Sequence, residues 1–536
     1  MTHNRREFLG RLGIGAAGAG LLSWVPGCAG LPGGFATRHL PRATPAGQGV
    51  DPAGVQAFLD GVARVKMELH SLMLVRHGSV VAEGWWTPYG PEFNHWMYSM
   101  SKSFTSTAVG LAAAEGKLSI EDKVVSFFPQ DLPAQVGEGL AAMRVKHLLM
   151  MAAGHAKEPT TEMVGSEDWA RVFLGWPVEH TPGTTFLYNS GATYMCSAIV
   201  QRVTGQRVVD YLRPRLFEPL GISGIEWETC PRGVNVGGWG LCIPTEGLAK
   251  FGQLYLQRGE WRGRRIIPAA WVDEATTFKI QQPQPAQPSR PAEKNDWTQG
   301  YCYQFWRATH HAFRGDGAFG QFTLVLPEKD AVVIMTAESH DLQGQLDLVW
   351  EHLLPALRDQ PFAPVPGAEE SLAARLAGLT LPTPAGTGSS PTAGRIAGQE
   401  FQLEPNDLGL VAVVFDHEAG ASRIRFKSAQ GDHVVACGTG GWQRGETALP
   451  GSPPRLVSGG ASPAGTKFKV AAAAAWKDEN TLEAVLRYYE TPHHDTLTCH
   501  FDGSSVSVAF ANSIAGSGPS AKDKRGVLRG KLKAGA

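Results

Sequence analysis

Cysteine is scarce in this chain: seven residues, at positions 28, 196, 230, 242, 302, 437 and 499, are spread over 536. That density excludes a disulfide-stapled scaffold, and no Cys-x-x-Cys or His/Cys cluster offers a zinc site. Cys230 and Cys242 form a candidate pair by separation alone. An excess of one charge is also missing. The 49 Lys and Arg stand against 50 Asp and Glu, a formal net charge of -1, so no global field favours nucleic acid or an anionic membrane. Only the stretch from Lys522 onward is locally basic, and it reads as a solvated tail. Long apolar runs are absent: the most apolar, Leu12 to Trp24, falls short of the ~20 residues that span a bilayer. There is no Gly-x-Ser-x-Gly elbow and no His-Glu-x-x-His. The pairs His310-His311 and His493-His494 lack a third partner at ligand spacing and read as exposed loop histidines.

What is present is a folded composition, 43% hydrophobic and 18% charged, at a length that calls for two or three domains. Asn4-Arg5-Arg6-Glu7-Phe8-Leu9 ahead of the short apolar run reads as a signal peptide over residues 1–28. Its paired arginines resemble the twin-arginine type. Val25-Pro26-Gly27-Cys28 is similar to a lipoprotein box, with plain cleavage nearby as the open alternative. The chain is therefore expected to be exported, either periplasmic or tethered to a membrane through Cys28.

Residues 29–48 are rich in Gly, Pro and Ala and read as a linker. A mixed region follows over 49–360. It opens with helical patterning from Ala53 to Met67. Two apolar runs, 71–76 and 80–83, then flank the turn His77-Gly78-Ser79, a hairpin signature. Helical patterning returns at Ser101 to Glu115 and at Val145 to Ala153. A second hairpin is predicted at 322–326 and 331–335, and a final helix at Leu342 to Leu357. Strands at both ends with helices between predict an α+β fold: one antiparallel sheet flanked by helices, with a helical insertion. Residues 361–395 read as a second linker. Alternating short strands over 396–520 predict a small C-terminal all-β domain, with 521–536 as a tail.

Ser99-Met100-Ser101-Lys102 is a Ser-x-x-Lys at the start of a predicted helix, a spacing that puts Ser99 and Lys102 on one face. A serine hydroxyl needs a base within hydrogen-bond reach, and a lysine serves only if its pKa is lowered. A helix N-terminus adds backbone N–H groups where an oxyanion would form. The motif is short, but its context extends. Tyr98-Ser99-Met100-Ser101-Lys102-Ser103-Phe104-Thr105, then 144–154, then Pro182 to Ser190, Gly237-Gly238-Trp239-Gly240-Leu241, Leu248 to Gly252, and Gly317-Ala318-Phe319-Gly320-Gln321 come in the order of a known family. Over residues 50 to 360 the chain resembles the penicillin-recognising serine hydrolases: class C β-lactamases, D-alanyl-D-alanine carboxypeptidases, family VIII carboxylesterases and 6-aminohexanoate-dimer hydrolases.

That resemblance implies a β-lactamase/transpeptidase-like fold, Ser99 as nucleophile, and Lys102 and Tyr188 as its proton-handling partners. It implies no cofactor, no metal, and a small-molecule or peptide-like substrate. A phenol with an ordinary pKa near ~10 acts as a base only beside a cation, and Lys102 is the candidate. Two departures stand out. Ser190 occupies the place where the family's second motif usually has Asn. In Phe313-Arg314-Gly315-Asp316-Gly317-Ala318, Asp316 falls near the place of the third motif's cation, where an acid would repel a substrate carboxylate unless Arg314 turns inward. Ser190, Asp316, Gly317, Ala318 and Trp239 are the candidate substrate-binding residues, with an amide near Ala318 joining that of Ser99 in an oxyanion hole. Trp239 reads equally as core. The expected activity is that of an exported esterase or amidase. β-Lactamase or D-alanine-specific peptidase activity, and a non-catalytic envelope ligand-binding protein, stay open as alternatives.

Overall fold

The first predicted hairpin begins where an expected helix ends. In the computed structural model, which describes residues 39–283, 290–418, 420–457, 466–515 and 523–533, α1 covers Pro52–Arg64. Asp51 caps it by accepting from the Ala53 amide at 3.0 Å, and Pro52 occupies the first turn, where its missing N–H costs nothing. Strands β1 (Leu69–Arg76) and β2 (Ser79–Trp85) follow, turned by His77 and Gly78 in left-handed conformations. Helices α2 (Ser101–Ala114), α3 (Ser190–Thr204) and α4 (Thr245–Leu256) lie in the long insertion. The chain then returns as β3 (Trp306–Arg307), β4 (Phe313–Gly317), β5 (Gln321–Leu326) and β6 (Ala331–Ala337). The sheet order is β2-β1-β6-β5-β4-β3, antiparallel throughout. Its two ends of sequence meet at β1 and β6, with Met73 opposite Ile334.

Every residue of β1, β5 and β6 is buried, because helices cover both faces; such strands read as apolar runs rather than alternations. On one face Met73, Val75, Val332 and Ile334 share a core with Phe104 of α2 and Phe251 of α4. On the other, Leu72, Leu74 and Val333 pack with Val55 and Phe58 of α1 and with Leu346 of α5 (Leu342–Leu348). One helix is shorter than its patterning predicts, and another keeps its predicted extent but changes its winding. The helix from Val145 stops at Leu149, and Met151 turns left-handed. The one from Leu342 widens into a π turn at Val349–Leu353, just ahead of Pro355, whose ring and missing N–H disturb the preceding turn.

Both expected linkers are partly built into the fold. The signal-peptide and Cys28 expectations, and the first part of the 29–48 linker, lie outside the described residues. Within 39–48, however, Leu40 is buried and Arg42 reaches Glu83 and Glu246. In 361–395, α6 (Ala368–Ala377) docks beside β2, burying Leu372 and Leu376. These two leucines lie one helical turn apart, which is all the docking needs.

The C-terminal strands are β7 (Glu400–Leu403), β8 (Leu410–Glu418), β9 (Ala421–Ser428), β10 (Gly431–Gly438), β11 (Gln443–Thr447), β12 (Phe468–Trp476), β13 (Thr481–Arg487), β14 (His494–Asp502), β15 (Ser505–Asn512) and β16 (Leu528–Leu532). Their order is β10-β9-β8-β7-β16-β15-β14-β13-β12-β11, and β10 also meets β12 at Cys437 and Ala472, closing a barrel. Alternation is clean along β14, where Leu497, Cys499 and Phe501 point inward. The interior is filled: the Phe415 and Phe501 rings are 4.9 Å apart and Trp476 lies 5.7 Å from Phe501. The expected tail is wrong for residues 523–533. Leu528 is buried, and β16 fills the gap between β7 and β15. Arg525 is anchored there by Asp495 and Asp523 and Lys533 lies 3.6 Å from Glu400, so part of the basic stretch is paired, while Lys524, Arg529 and Lys531 are exposed. The described cysteines are all free. Cys230 does not bond Cys242; its sulfur lies 3.4 Å from the Tyr194 hydroxyl. Among the described residues, no helix is long and apolar enough to cross a membrane.

Candidate active site

A 3-10 turn, Tyr98–Met100, runs directly into α2. It presents Ser99 one turn ahead of Lys102, so the i, i+3 spacing puts both side chains on one face. Lys102 is buried, and its ammonium donates to three acceptors: Ser99 Oγ at 3.0 Å, Ser190 Oγ at 3.0 Å and the Gly238 carbonyl at 2.8 Å. An ammonium has three protons, and all are used. The Lys102 nitrogen also lies 4.8 Å from the Tyr188 ring centre, and the Tyr188 side chain hydrogen-bonds Ser99.

Tyr188-Asn189-Ser190 reaches this point because the helix start splits the roles of its side chains. Asn189 caps α3, accepting from the Ala192 amide at 3.0 Å, and its amide lies 3.1 Å from His155. Ser190, the first helical residue, is left to face Lys102. The position usually held by Asn in the second motif is thus filled by a hydroxyl that Lys102 itself binds.

Burial pushes the Lys102 amine down to about 8, against the opposing charges of Glu158 and Asp316. Burial pushes Tyr188 up, Asp316 pushes it further, and the hydrogen bond with Ser99 acts the other way. Glu158 is a site neighbour that sequence reasoning missed; it accepts the Ser190 backbone N–H at 2.5 Å. The Gly238 carbonyl was missed as well, although the Gly237-Gly238 landmark was in view.

Asp316 sits near the site, but not as a bare acid. Arg314 turns inward and its Nε lies 3.1 Å from Asp316 Oδ2. The Arg314 guanidinium is fully buried, donates to the Asp296 and Arg307 carbonyls, and lies 4.5 Å over the Trp297 ring. Burial raises the Asp316 carboxyl, and Arg314 opposes that rise. Tyr188 stacks 5.5 Å from Trp306 on the same side.

Strand β4 approaches the Ser99 turn more closely than a side chain would permit. A Cβ on Gly317 would lie 2.1 Å from the Met97 carbonyl oxygen, and one on Gly315 would lie 2.4 Å from Met100 Sδ. Ala318 follows immediately, and Phe319 takes a left-handed backbone, φ 66°. Trp239 is buried, 5.7 Å from Trp169, and borders a small cleft with Tyr98 and Glu228, so it is both core and cleft wall.

His493 and His494 correct the sequence reading: His493 is fully buried and His494 partly so. Their Nδ1 atoms lie 2.6 and 2.8 Å from the two oxygens of Glu338. The partner carboxylate is 155 residues distant, beyond any local pattern. Glu68, Glu338 and His494 cluster closely enough to suggest metal ligands. The fit is poor, because Arg487 pairs with Glu68 and both oxygens of Glu338 are taken by histidines.

A family model described as Beta-lactamase matches residues 56–357. The chain belongs to the beta-lactamase family. It is similar to 6-aminohexanoate-dimer hydrolase of Paenarthrobacter ureafaciens, 25% identical over 49% of this chain and 71% of that protein. It is similar to the Beta-lactamase of Escherichia coli strain K12, 27% identical over 23% of this chain and 32% of that protein. Among solved structures it is similar to a family VIII carboxylesterase, with 17% identity, a TM-score of 0.46, and coverage of 59% of this chain and 99% of the other. The matched span of this beta-lactamase family member contains all the candidate site residues from Ser99 to Ala318 and excludes the barrel.

Proposed function

We propose that the chain is a serine hydrolase that cleaves an ester or amide through an acyl-enzyme on Ser99. The observation that carries this reading is the buried Lys102 amine, 3.0 Å from the Ser99 hydroxyl and lowered to about 8. Near neutral pH a usable fraction of it is uncharged, so its lone pair takes the Ser99 proton as Oγ attacks the substrate carbonyl. Two N–H bonds then remain for Ser190 and Gly238 and hold the amine in place. Tyr188, raised above its ordinary value, works as a hydroxyl: it passes a proton from the Lys102 ammonium to the leaving group. The amides of Ser99 and Ala318 receive the oxyanion. Water then enters and gives a proton to the same Lys102–Tyr188 network as its oxygen attacks the acyl carbon; the C–Oγ bond breaks, the network returns the proton to Ser99 Oγ, and the acid leaves. The two groups share one proton system, so its apparent pKa belongs to the pair.

Asp316, already joined to Arg314, leaves no free cation there for a substrate carboxylate. This favours esters and uncharged or amine-bearing amides over β-lactams. The test is a fluorophosphonate probe and a substrate panel. Ser99 should be labelled, and short p-nitrophenyl esters should turn over faster than a chromogenic cephalosporin. The reverse order would make β-lactams the substrate class. No labelling, together with an unchanged hydrolytic rate in Ser99→Ala, would leave only a ligand-binding protein.

A further inference from the structure

The barrel interior is packed with apolar side chains, and one of the barrel's turns reaches the residue next to Ser99. The β13–β14 turn inserts among residues 89–98: the Trp96 amide donates to the Glu490 carbonyl at 3.0 Å, and the Tyr89 hydroxyl to the Thr491 carbonyl at 3.0 Å. At its end, His493 Nε2 lies 2.5 Å from the Tyr98 hydroxyl. His493 Nδ1 faces Glu338 at 2.6 Å, and Ser513 Oγ donates to the same carboxylate. Glu338 is held below the usual carboxylate range by these hydrogen bonds and charges, despite its burial. An ionised carboxylate only accepts, so Nδ1 carries a proton toward Glu338, and Nε2 is left to hydrogen-bond the Tyr98 hydroxyl. The backbone of Leu456, also from the barrel domain, hydrogen-bonds Tyr98 as well.

Two residues of strained backbone meet at this point. Tyr98, directly before Ser99, has φ 45°, and Phe319, directly after Ala318, has φ 66°. Non-glycine residues in that region are strained and persist only where their surroundings hold them. Their rings touch edge to face at 5.5 Å. His493 packs against both, 5.7 Å from Tyr98 and 4.8 Å from Phe319, and Ile514 of the barrel domain completes the cluster. One imidazole from the accessory domain therefore grips the neighbours of both amides assigned to the oxyanion.

We propose that His493 is a positioning residue for the oxyanion hole: through Tyr98 and Phe319, and anchored by Glu338, it sets the spacing of the Ser99 and Ala318 amides. This gives the barrel its part in the reaction, and it rests on the Ser99 hydrolase reading. Misplacing an oxyanion donor weakens the transition state more than the bound substrate. Tyr98→Phe keeps the ring and removes the hydroxyl, with its bonds to His493 and Leu456. It should lower kcat for a p-nitrophenyl ester about ten-fold or more, with KM within about three-fold. His493→Ala should do the same, and the double variant should lose no more than the larger single loss. His493→Gln, whose amide can accept from Tyr98 and donate to Glu338 at once, should recover most of kcat. Near-native kcat in both Tyr98→Phe and His493→Ala, with fluorophosphonate labelling of Ser99 intact, would overturn the positioning role alone. Losses that multiply in the double variant, or His493→Gln no better than His493→Ala, would do so too. Absence of labelling in the unaltered chain would overturn the hydrolase reading itself, and the positioning role with it.

Discussion

The lowered Lys102 amine makes a quantitative demand on the pH–rate profile. An unperturbed lysine near 10.5 would be uncharged in only about 0.03% of molecules at pH 7, whereas one at about 8 is uncharged in about a tenth. If the uncharged amine is the base, kcat/KM should rise about five-fold from pH 7 to 8, then only about two-fold more to a plateau near pH 9. The midpoint near 8 follows from burial, which disfavours the ammonium, offset in part by Glu158 and Asp316. Removing an offset moves the midpoint predictably: Glu158→Gln should shift it to lower pH. The assay is initial-rate hydrolysis of a neutral p-nitrophenyl ester over pH 6 to 10, with the spontaneous rate subtracted. Lys102→Arg, always charged, should be inactive across the range. A flat profile, or one still climbing in proportion to hydroxide at pH 10, would refute Lys102 as the base.

The same shift acts on stability. The ammonium is penalised in the folded state, so stability is fullest above the unfolded value near 10.5 and is lost as pH falls through about 8. Chemical denaturation should show about 2–3 kcal/mol gained from pH 7 to 10 that is missing in Lys102→Met. Gly317→Ala places a Cβ 2.1 Å from the Met97 oxygen; Ser99 labelling should slow about ten-fold or more, since displacements near 1 Å are that costly. Gly394→Ala, where nothing lies within 4 Å, should leave labelling unchanged. Arg314→Met strands the Asp316 carboxylate in the interior and should cost about 3–5 kcal/mol at pH 8. The loss should shrink toward pH 5, because protonation removes the uncompensated charge; an equal loss at both pH values would contradict the pairing.

What was legible in the sequence is what local spacing can encode. The two hairpins appear as apolar runs around His77-Gly78 and Pro327 to Asp330, because the sheet they form is covered on both faces. Ser99 and Lys102 are three residues apart, and Tyr188 and Ser190 flank a helix cap. Composition misled where a few side chains decide the outcome. Leu372 and Leu376 fix a helix within a Pro- and Ala-rich stretch, and Leu528 draws a basic segment into the barrel. Contacts across hundreds of residues left no local trace. Nothing near His493 points to Glu338 or Tyr98, and Glu158 joins the site through the backbone of Ser190 and through its charge on Lys102. The inward turn of Arg314 was a condition the sequence posed and the packing of Trp297 and Trp306 answered.

The filled barrel has a further consequence. Its strands are committed to their own aromatic interior, so they cannot change without unmaking it. Of the connections at one end, 449–457 borders the cleft through Arg455 and Val457, and 488–493 reaches Tyr98 through His493. Relatives that kept this barrel could reshape their catalytic mouths by exchanging turns alone, with the scaffold behind them untouched.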